Sequence, residues 1–133
     1  MTLLLPAGAV AADIESTCYA ECEARDVSNV EFKACLAEKA KSADAVLNDA
    51  YGILKKDIHR YANNMGQETK YQLQSLKEAQ KNWIAYRDVT CRFEDELSFG
   101  RSSIGGNYSA CLCIMSLQRV GDFDRIGRRL LSE

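Results

Sequence analysis

The chain has little of several residue types on which common sites and folds depend. Its 133 residues include one proline, one histidine and one tryptophan. Because proline interrupts helices and strand-favouring β-branched clusters are also few, the composition favours helix throughout. The single histidine, His59, argues against Ser-His-Asp or Cys-His catalysis and against a zinc site. We therefore predict that the protein is not an enzyme and holds neither a metal nor a cofactor.

A strong excess of either charge is also lacking. The formal net charge is −2 and the isoelectric point is about 5.5, so no general basic field points to nucleic acid. No apolar run reaches the roughly 20 residues that a transmembrane helix needs. The length of the chain and its hydrophobic share of 47% fit one globular domain with a real core.

The beginning of the chain is apolar and uncharged. Residues 2–12 read TLLLPAGAVAA, with the small residues Val10 and Ala12 just before the first carboxylate. This pattern resembles the end of a secretory signal peptide, although the charged segment that opens such a peptide is missing. We predict a signal-peptide remnant at 1–12 and a domain at 13–133. The residues before the first cysteine do not fit a lipoprotein signal, so we expect a periplasmic or secreted protein without stable membrane insertion.

Cysteine, by contrast, is abundant for so short a chain. The six cysteines are Cys18, Cys22, Cys35, Cys91, Cys111 and Cys113. An even number in a small domain predicts three disulfides and an oxidising compartment. The spacings leave the connectivity open, and a redox C-x-x-C motif is absent.

The most regular helical pattern lies at residues 76–91, which read LKEAQKNWIAYRDVTC. Leu76, Gln80, Trp83 and Arg87 are spaced by four, three and four residues, which places them on one narrow face of a helix. Four further residues are expected to widen that face: Ala79, Ile84, Tyr86 and Cys91. Burying an unpaired amide costs roughly 2–7 kcal/mol and a charge costs more. This helix therefore either anchors a satisfied polar network or presents a site.

Further helix signals organise the rest of the chain. Ser28 and Glu31 form a capping box that opens a long helix, and Gly66 ends it. A second long helix is expected from about residue 68 to 99, and a third from 109 to 131. Since short loops join antiparallel neighbours, we predict an all-α fold. It is a small antiparallel helical bundle of three main helices plus a short N-terminal segment, stapled by disulfides.

An arginine recurs within the apolar stripe of the last helix. Arg119 lies there as Arg87 lies in the preceding helix, and a buried arginine must be paired, since breaking such a pair costs roughly 3–5 kcal/mol. We predict a structural polar core with these members: Gln80, Trp83, Arg87, Arg119, Asp44, Asn48 and Tyr51. The alternative is a ligand pocket built on Trp83 and Arg87.

Taken together, the motifs resemble a known family. They are D-x-x-L-N-x-x-Y from Asp44, L-x-x-A-Q-x-x-W-x-x-x-R-D-x-x-C from Leu76, and Cys111 with Arg119 eight residues on. The combination is similar to the LprI-like lysozyme-inhibitor family over about residues 22–130. The resemblance implies an exported, all-helical and disulfide-linked protein.

The same resemblance implies a cysteine pairing. It implies two disulfides, Cys22–Cys35 and Cys91–Cys111. Cys18 and Cys113 depart from the family's pattern of four cysteines. If they pair, they staple the N-terminal segment to the last helix.

The resemblance also implies a function, namely an exported binding protein that inhibits lysozyme by protein–protein contact. An inhibitor must block a cleft that holds two carboxylates, so Arg101, Ser102 and Ser103 are candidates for a cationic contact. A second candidate is the acidic surface formed by Glu94, Asp95 and Glu96. That surface would attract a basic lysozyme and lose affinity with salt. The alternative function is a non-inhibitory envelope or periplasmic module, structural or interacting, that works through a helix face.

Overall fold

A computed structural model describes residues 7–101 and 105–132 of the chain, with side chains from residue 13 onward. Within these residues the protein consists of four helices: α1 Ala7–Glu23, α2 Asn29–Asn64, α3 Lys70–Glu96 and α4 Gly106–Leu131. The all-α prediction is confirmed. The N-terminal segment is a helix of 17 residues, longer than the short one expected. None of the described helices combines the length and the apolarity that crossing a bilayer requires.

The predicted signals at the two ends of α2 are present. Ser28 Oγ accepts a hydrogen bond from the Glu31 amide at 3.2 Å, which satisfies one of the free donors of the first turn. The Ser28 hydroxyl also donates to the Glu31 carboxylate at 3.3 Å. In a full capping box the Glu31 carboxylate would instead accept from the backbone amide of Ser28. At the other end, Gly66 has a φ of 65°, a left-handed conformation that glycine adopts at little cost.

The helix α4 begins three residues earlier than the sequence predicted. Its first residue, Gly106, is buried against α2, and a Cβ there would lie 3.4 Å from Leu36 Cδ1. That is an ordinary contact distance, so the position is close to α2 without requiring glycine. The earlier start of α4 therefore extends its contact with α2 by one turn.

The helices α2 and α4 form the central pair of the bundle, and the other two lie against them. α3 packs mainly on α4, while α1 contacts both central helices. Leu47, Leu54 and Phe123 form one apolar cluster, with Leu76 and Trp83 of α3 packed against it. Burying side chains of this size stabilises the fold by about 1.5–3 kcal/mol each.

Three disulfides connect the outer helices to the central pair. Cys18–Cys113 joins α1 to α4, Cys22–Cys35 joins α1 to α2, and Cys91–Cys111 joins α3 to α4. The last two are the pairs that the family resemblance implied, and the first realises the staple that the two additional cysteines made possible. Each peripheral helix is therefore held covalently as well as by packing.

The buried face of α3 is narrower than predicted. Ala79, Ile84 and Tyr86 were expected to widen it, but all three are exposed, and the Tyr86 residue has 63% of its surface accessible. The reason is the position of α3 at the edge of the bundle, where α4 is its main neighbour and α2 touches it only slightly. One side of α3 therefore remains open, with apolar side chains on it.

Candidate functional site

The first candidate site is the polar cluster around Arg87, which has three side-chain partners. Its Nε donates to Asp88 Oδ1 at 2.9 Å. Its Nη1 lies 3.2 Å from Ser116 Oγ and 3.4 Å from Asp44 Oδ1. The Arg87 side chain is only 12% exposed. These contacts connect α3 with both central helices.

Arg119 supplies the second half of the cluster. Its Nε donates to Gln80 Oε1 at 3.1 Å, and its Nη1 lies 3.5 Å from Asp122 Oδ2. The guanidinium carbon also lies 4.8 Å from the centre of the Phe123 ring. Gln80, which is buried, thus has the partner that its place in an apolar stripe demands.

Trp83 joins the two arginines. The guanidinium carbons of Arg87 and Arg119 lie 5.3 Å and 5.5 Å from the centre of its ring, within the range of cation–π attraction. Because both guanidinium groups have side-chain acceptors and also contact the ring, these three side chains offer few free groups to a ligand. This geometry favours the structural interpretation of the cluster over a pocket built on Trp83 and Arg87.

The remaining predicted members of the cluster differ in their surroundings. Asp44 contacts Arg87, as above, and the Tyr51 ring lies 6.0 Å from that of Phe123. Asn48 is exposed. Sequence reasoning missed Ser116, which is buried beneath Arg87, because a serine on a helix carries no signal of its partner.

The second candidate site is the corner between α3 and α4. Asp95 Oδ1 accepts hydrogen bonds from the amides of Gly105 at 2.7 Å and Tyr108 at 3.1 Å. The first amide belongs to the N-cap residue of α4 and the second to its first turn, and α4 has no cap from the side chain at 105. The Asp95 carboxylate, predicted as part of an acidic docking surface, thus also caps a helix. Glu94 and Glu96 on either side of it are exposed.

The cationic candidates of this corner are described only in part. Arg101 is exposed, and its Nε donates to the Ser98 carbonyl oxygen at 2.9 Å. This bond fixes the base of the guanidinium on the turn that ends α3. The other two candidates, Ser102 and Ser103, lie outside the described residues.

An exposed apolar surface runs along α3 into the same corner, and we name it the α3 outer patch. Its members are Tyr86, Val89, Phe93, Leu97 and Phe99, all of them exposed. The first four are spaced by three, four and four residues, so they line one face of the helix and its final turn. Contiguous exposed apolar residues of this kind mark interaction sites in soluble proteins.

One carboxylate-lined depression lies beside α1, between Tyr19 and Glu94. Burial raises the pKa of the Tyr19 hydroxyl, and the nearby Glu15, Glu23 and Glu94 carboxylates raise it further. The hydroxyl therefore stays neutral and can donate a hydrogen bond at physiological pH. Across residues 7–101 and 105–132, no group of three or more histidine, cysteine or acidic side chains is placed to hold a metal ion.

Comparison with known proteins places the motifs in context. The sequence model of the family described as lysozyme inhibitor LprI matches residues 20–123 of this chain. The chain belongs to the LprI lysozyme inhibitor family. It is also 27% identical over 103 residues to an uncharacterized protein of Rhizobium meliloti (strain 1021), covering 75% of this chain and 74% of that protein. No solved structure matches the chain.

The range matched by the LprI family coincides with most of the features described above. It contains both halves of the polar cluster and the two disulfides Cys22–Cys35 and Cys91–Cys111, as well as the whole α3 outer patch. Cys18 lies just before the matched range. The matched range therefore covers the end of α1, all of α2 and α3 and most of α4, and the Cys18–Cys113 bridge has one of its two cysteines outside it.

Proposed function

We propose that this protein is an exported inhibitor of lysozyme that acts by binding the enzyme. The observation that carries the proposal is membership of the LprI lysozyme inhibitor family over residues 20–123. Three disulfides support the export part of it, because such bonds persist in oxidising compartments.

The disposition of the motif residues supports action through a surface rather than through chemistry. The polar groups of Gln80, Arg87 and Arg119 form hydrogen bonds within the bundle. A residue that stabilises the fold in this way is not free to engage a second protein. The inhibitory contact must therefore lie on exposed residues that the polar cluster holds in position.

The corner between α3 and α4 is the part of the surface best suited to a lysozyme cleft. Glycoside-cleaving sites contain a pair of carboxyl groups, and Arg101 offers an exposed guanidinium fixed through its Nε to the turn. A fixed cation loses less conformational freedom on binding than a mobile one. We place Arg101 at or near the carboxylates of the enzyme.

A lysis assay with the purified, oxidised protein tests the proposal. Lysozymes of several structural types are incubated with the protein at micromolar concentration, and the clearing of a bacterial cell suspension is followed by turbidity. The expected result is slower clearing by at least one lysozyme, with the protein alone causing none. Full activity of every lysozyme in the panel would refute the proposal.

The α3 outer patch also supports an alternative candidate, a non-inhibitory module of the cell envelope. Such a module would use the same exposed apolar face to bind a structural partner. It predicts a stable complex recovered by pull-down from envelope extracts and no effect on lysis. The two candidates therefore give opposite results in the turbidity assay.

A further inference from the structure

We infer that the α3 outer patch is the surface on which lysozyme docks, with Phe93 and Phe99 as the anchoring side chains. The inference rests on the proposed inhibitory function and specifies the contact that performs it. It extends that contact from Arg101 to an aromatic surface on the preceding helix.

The first reason is that the patch contributes little to the fold while exposing large apolar side chains. Phe93 is 58% exposed and Phe99 is 84% exposed. Aromatic side chains dominate the energetics of protein interfaces, where a few of them fill pockets on the partner. Two phenylalanines held in water at one end of a helix are therefore suited to a binding role.

The second reason is the backbone at Phe99. Its φ is 50°, a left-handed conformation, and no other described residue except glycine has a positive φ. A bulky side chain is disfavoured there, and glycine would adopt the same conformation without strain. Strain of this kind concentrates at functional sites. Phe99 thus stabilises neither the turn nor the core. This indicates that its side chain serves a contact with another molecule.

The third reason is that the patch is mounted rigidly. The Cys91–Cys111 disulfide ties the end of α3 to α4, and Asp95 holds the first turn of α4 from the same end. A binding surface that is already ordered loses less entropy on association. Phe93 lies between these two fixed residues in the sequence.

The fourth reason is charge complementarity with a lysozyme cleft. Arg92 and Arg101 are both exposed, the first beside Phe93 and the second two residues after Phe99. Glu94 and Glu96 are exposed between them, so the charges around the patch are mixed, and Arg101, held on the turn next to Phe99, is the cation that suits a partner with paired carboxyl groups. The partner that we infer is therefore a lysozyme cleft in which an apolar pocket takes a phenylalanine and the carboxyl groups lie near Arg101.

Two single substitutions test the patch against a matched control. Phe93→Ser and Phe99→Gly each remove one aromatic anchor. The control, Ile53→Ser, removes an apolar side chain that is 59% exposed on α2, where it lines an apolar groove of about 530 Å³ between α2 and α4. Inhibition curves and thermal unfolding midpoints are measured for the wild-type protein and all three variants.

We expect each patch variant to need a tenfold or higher concentration for half-inhibition, as the loss of an interface hot spot implies. Ile53→Ser should inhibit as the wild type does. Phe99→Gly should unfold at the wild-type temperature or above it, because glycine relieves the left-handed strain. Weaker inhibition without lost stability is a result that a merely structural role for Phe99 does not produce.

The other outcomes separate this inference from the proposed function. If the wild type inhibits and both patch variants retain full potency, the patch is not the docking surface although the function stands. Loss of inhibition in Ile53→Ser alone would assign docking to the groove between α2 and α4. A wild-type dimer in sedimentation that Phe93→Ser converts to monomer would assign the patch to a second copy of the chain. If the wild type inhibits no lysozyme, the function and this inference fail together.

Discussion

Trp83 contacts two cations that are largely withdrawn from water. An arginine removed from water loses its hydration, and only good partners offset that loss. Here each guanidinium has side-chain acceptors and also contacts the indole ring. Cation–π contacts contribute roughly 0.5–2 kcal/mol each, more when they are desolvated. The tryptophan thereby connects two arginine networks that would otherwise be separate.

Gln80 is the residue at which this network can be tested most cleanly. Gln80→Ala removes the acceptor for Arg119 Nε, which donates to it at 3.1 Å. A buried donor left without a partner costs about 1–3 kcal/mol. We expect the free energy of unfolding in urea to fall by that amount.

The matched control for this change lies on the opposite side of the same helix. Glu78 is exposed, so Glu78→Ala should change the stability by no more than about 0.5 kcal/mol. Equal unfolding midpoints for the two variants would show that Gln80 does not stabilise Arg119. The structural interpretation of the polar cluster would then be wrong.

At the scale of helices, α4 begins without a capping side chain of its own. Its N-cap position is Gly105, which provides no side-chain acceptor. Asp95 supplies one from the end of α3, across the intervening turn. A carboxylate at a helix N-terminus also meets the positive end of the helix dipole. One residue therefore couples the end of α3 to the start of α4.

Asp95→Ala should weaken this connection without touching the core. The loss of a capping acceptor costs about 0.5–2 kcal/mol, to be measured by denaturant unfolding. Asp95→Asn should lose less, because the amide oxygen still accepts hydrogen bonds. Glu96→Ala, at an exposed neighbouring position, serves as the control. A stability for Asp95→Ala equal to that of the control would contradict the capping role.

The helices also show which features can be predicted from sequence. The Ser28 cap and the Gly66 terminator depend on local chemistry, so they were predictable. The exposure of Tyr86 was not, because it depends on which helices lie beside α3. The partners of Asp95 and Arg87 belong to distant parts of the chain, and a residue type alone does not reveal a contact made through the fold.

For the molecule as a whole, the sequence pattern predicted the class of fold and the residues of the polar cluster more fully than the surface that we propose for binding. Amphipathic spacing and mid-stripe arginines reveal what must be buried and paired. An exposed phenylalanine leaves no such signal, because an apolar residue in a helix is expected to face the core. The α3 outer patch could not be predicted, because it depends on which side of α3 the neighbouring helices leave uncovered.

The three disulfides are expected to stabilise the folded molecule by different amounts. Cys18 and Cys113 are 95 residues apart, whereas Cys22 and Cys35 are 13 apart. In the chain-entropy account, closing the longer loop stabilises by about 4.7 kcal/mol and the shorter one by about 3 kcal/mol. The Cys18–Cys113 bridge is therefore expected to be the stronger one.

Paired alanine variants test this order. Cys18→Ala with Cys113→Ala should lower the free energy of unfolding more than Cys22→Ala with Cys35→Ala, when both are measured by denaturant unfolding with the other bridges oxidised. Each variant keeps α1 tied by one remaining bridge, so both should retain the helical fold by circular dichroism. If removing the short bridge costs more, local packing around Cys22 outweighs loop entropy. The position of α1 would then depend chiefly on its contact with the start of α2.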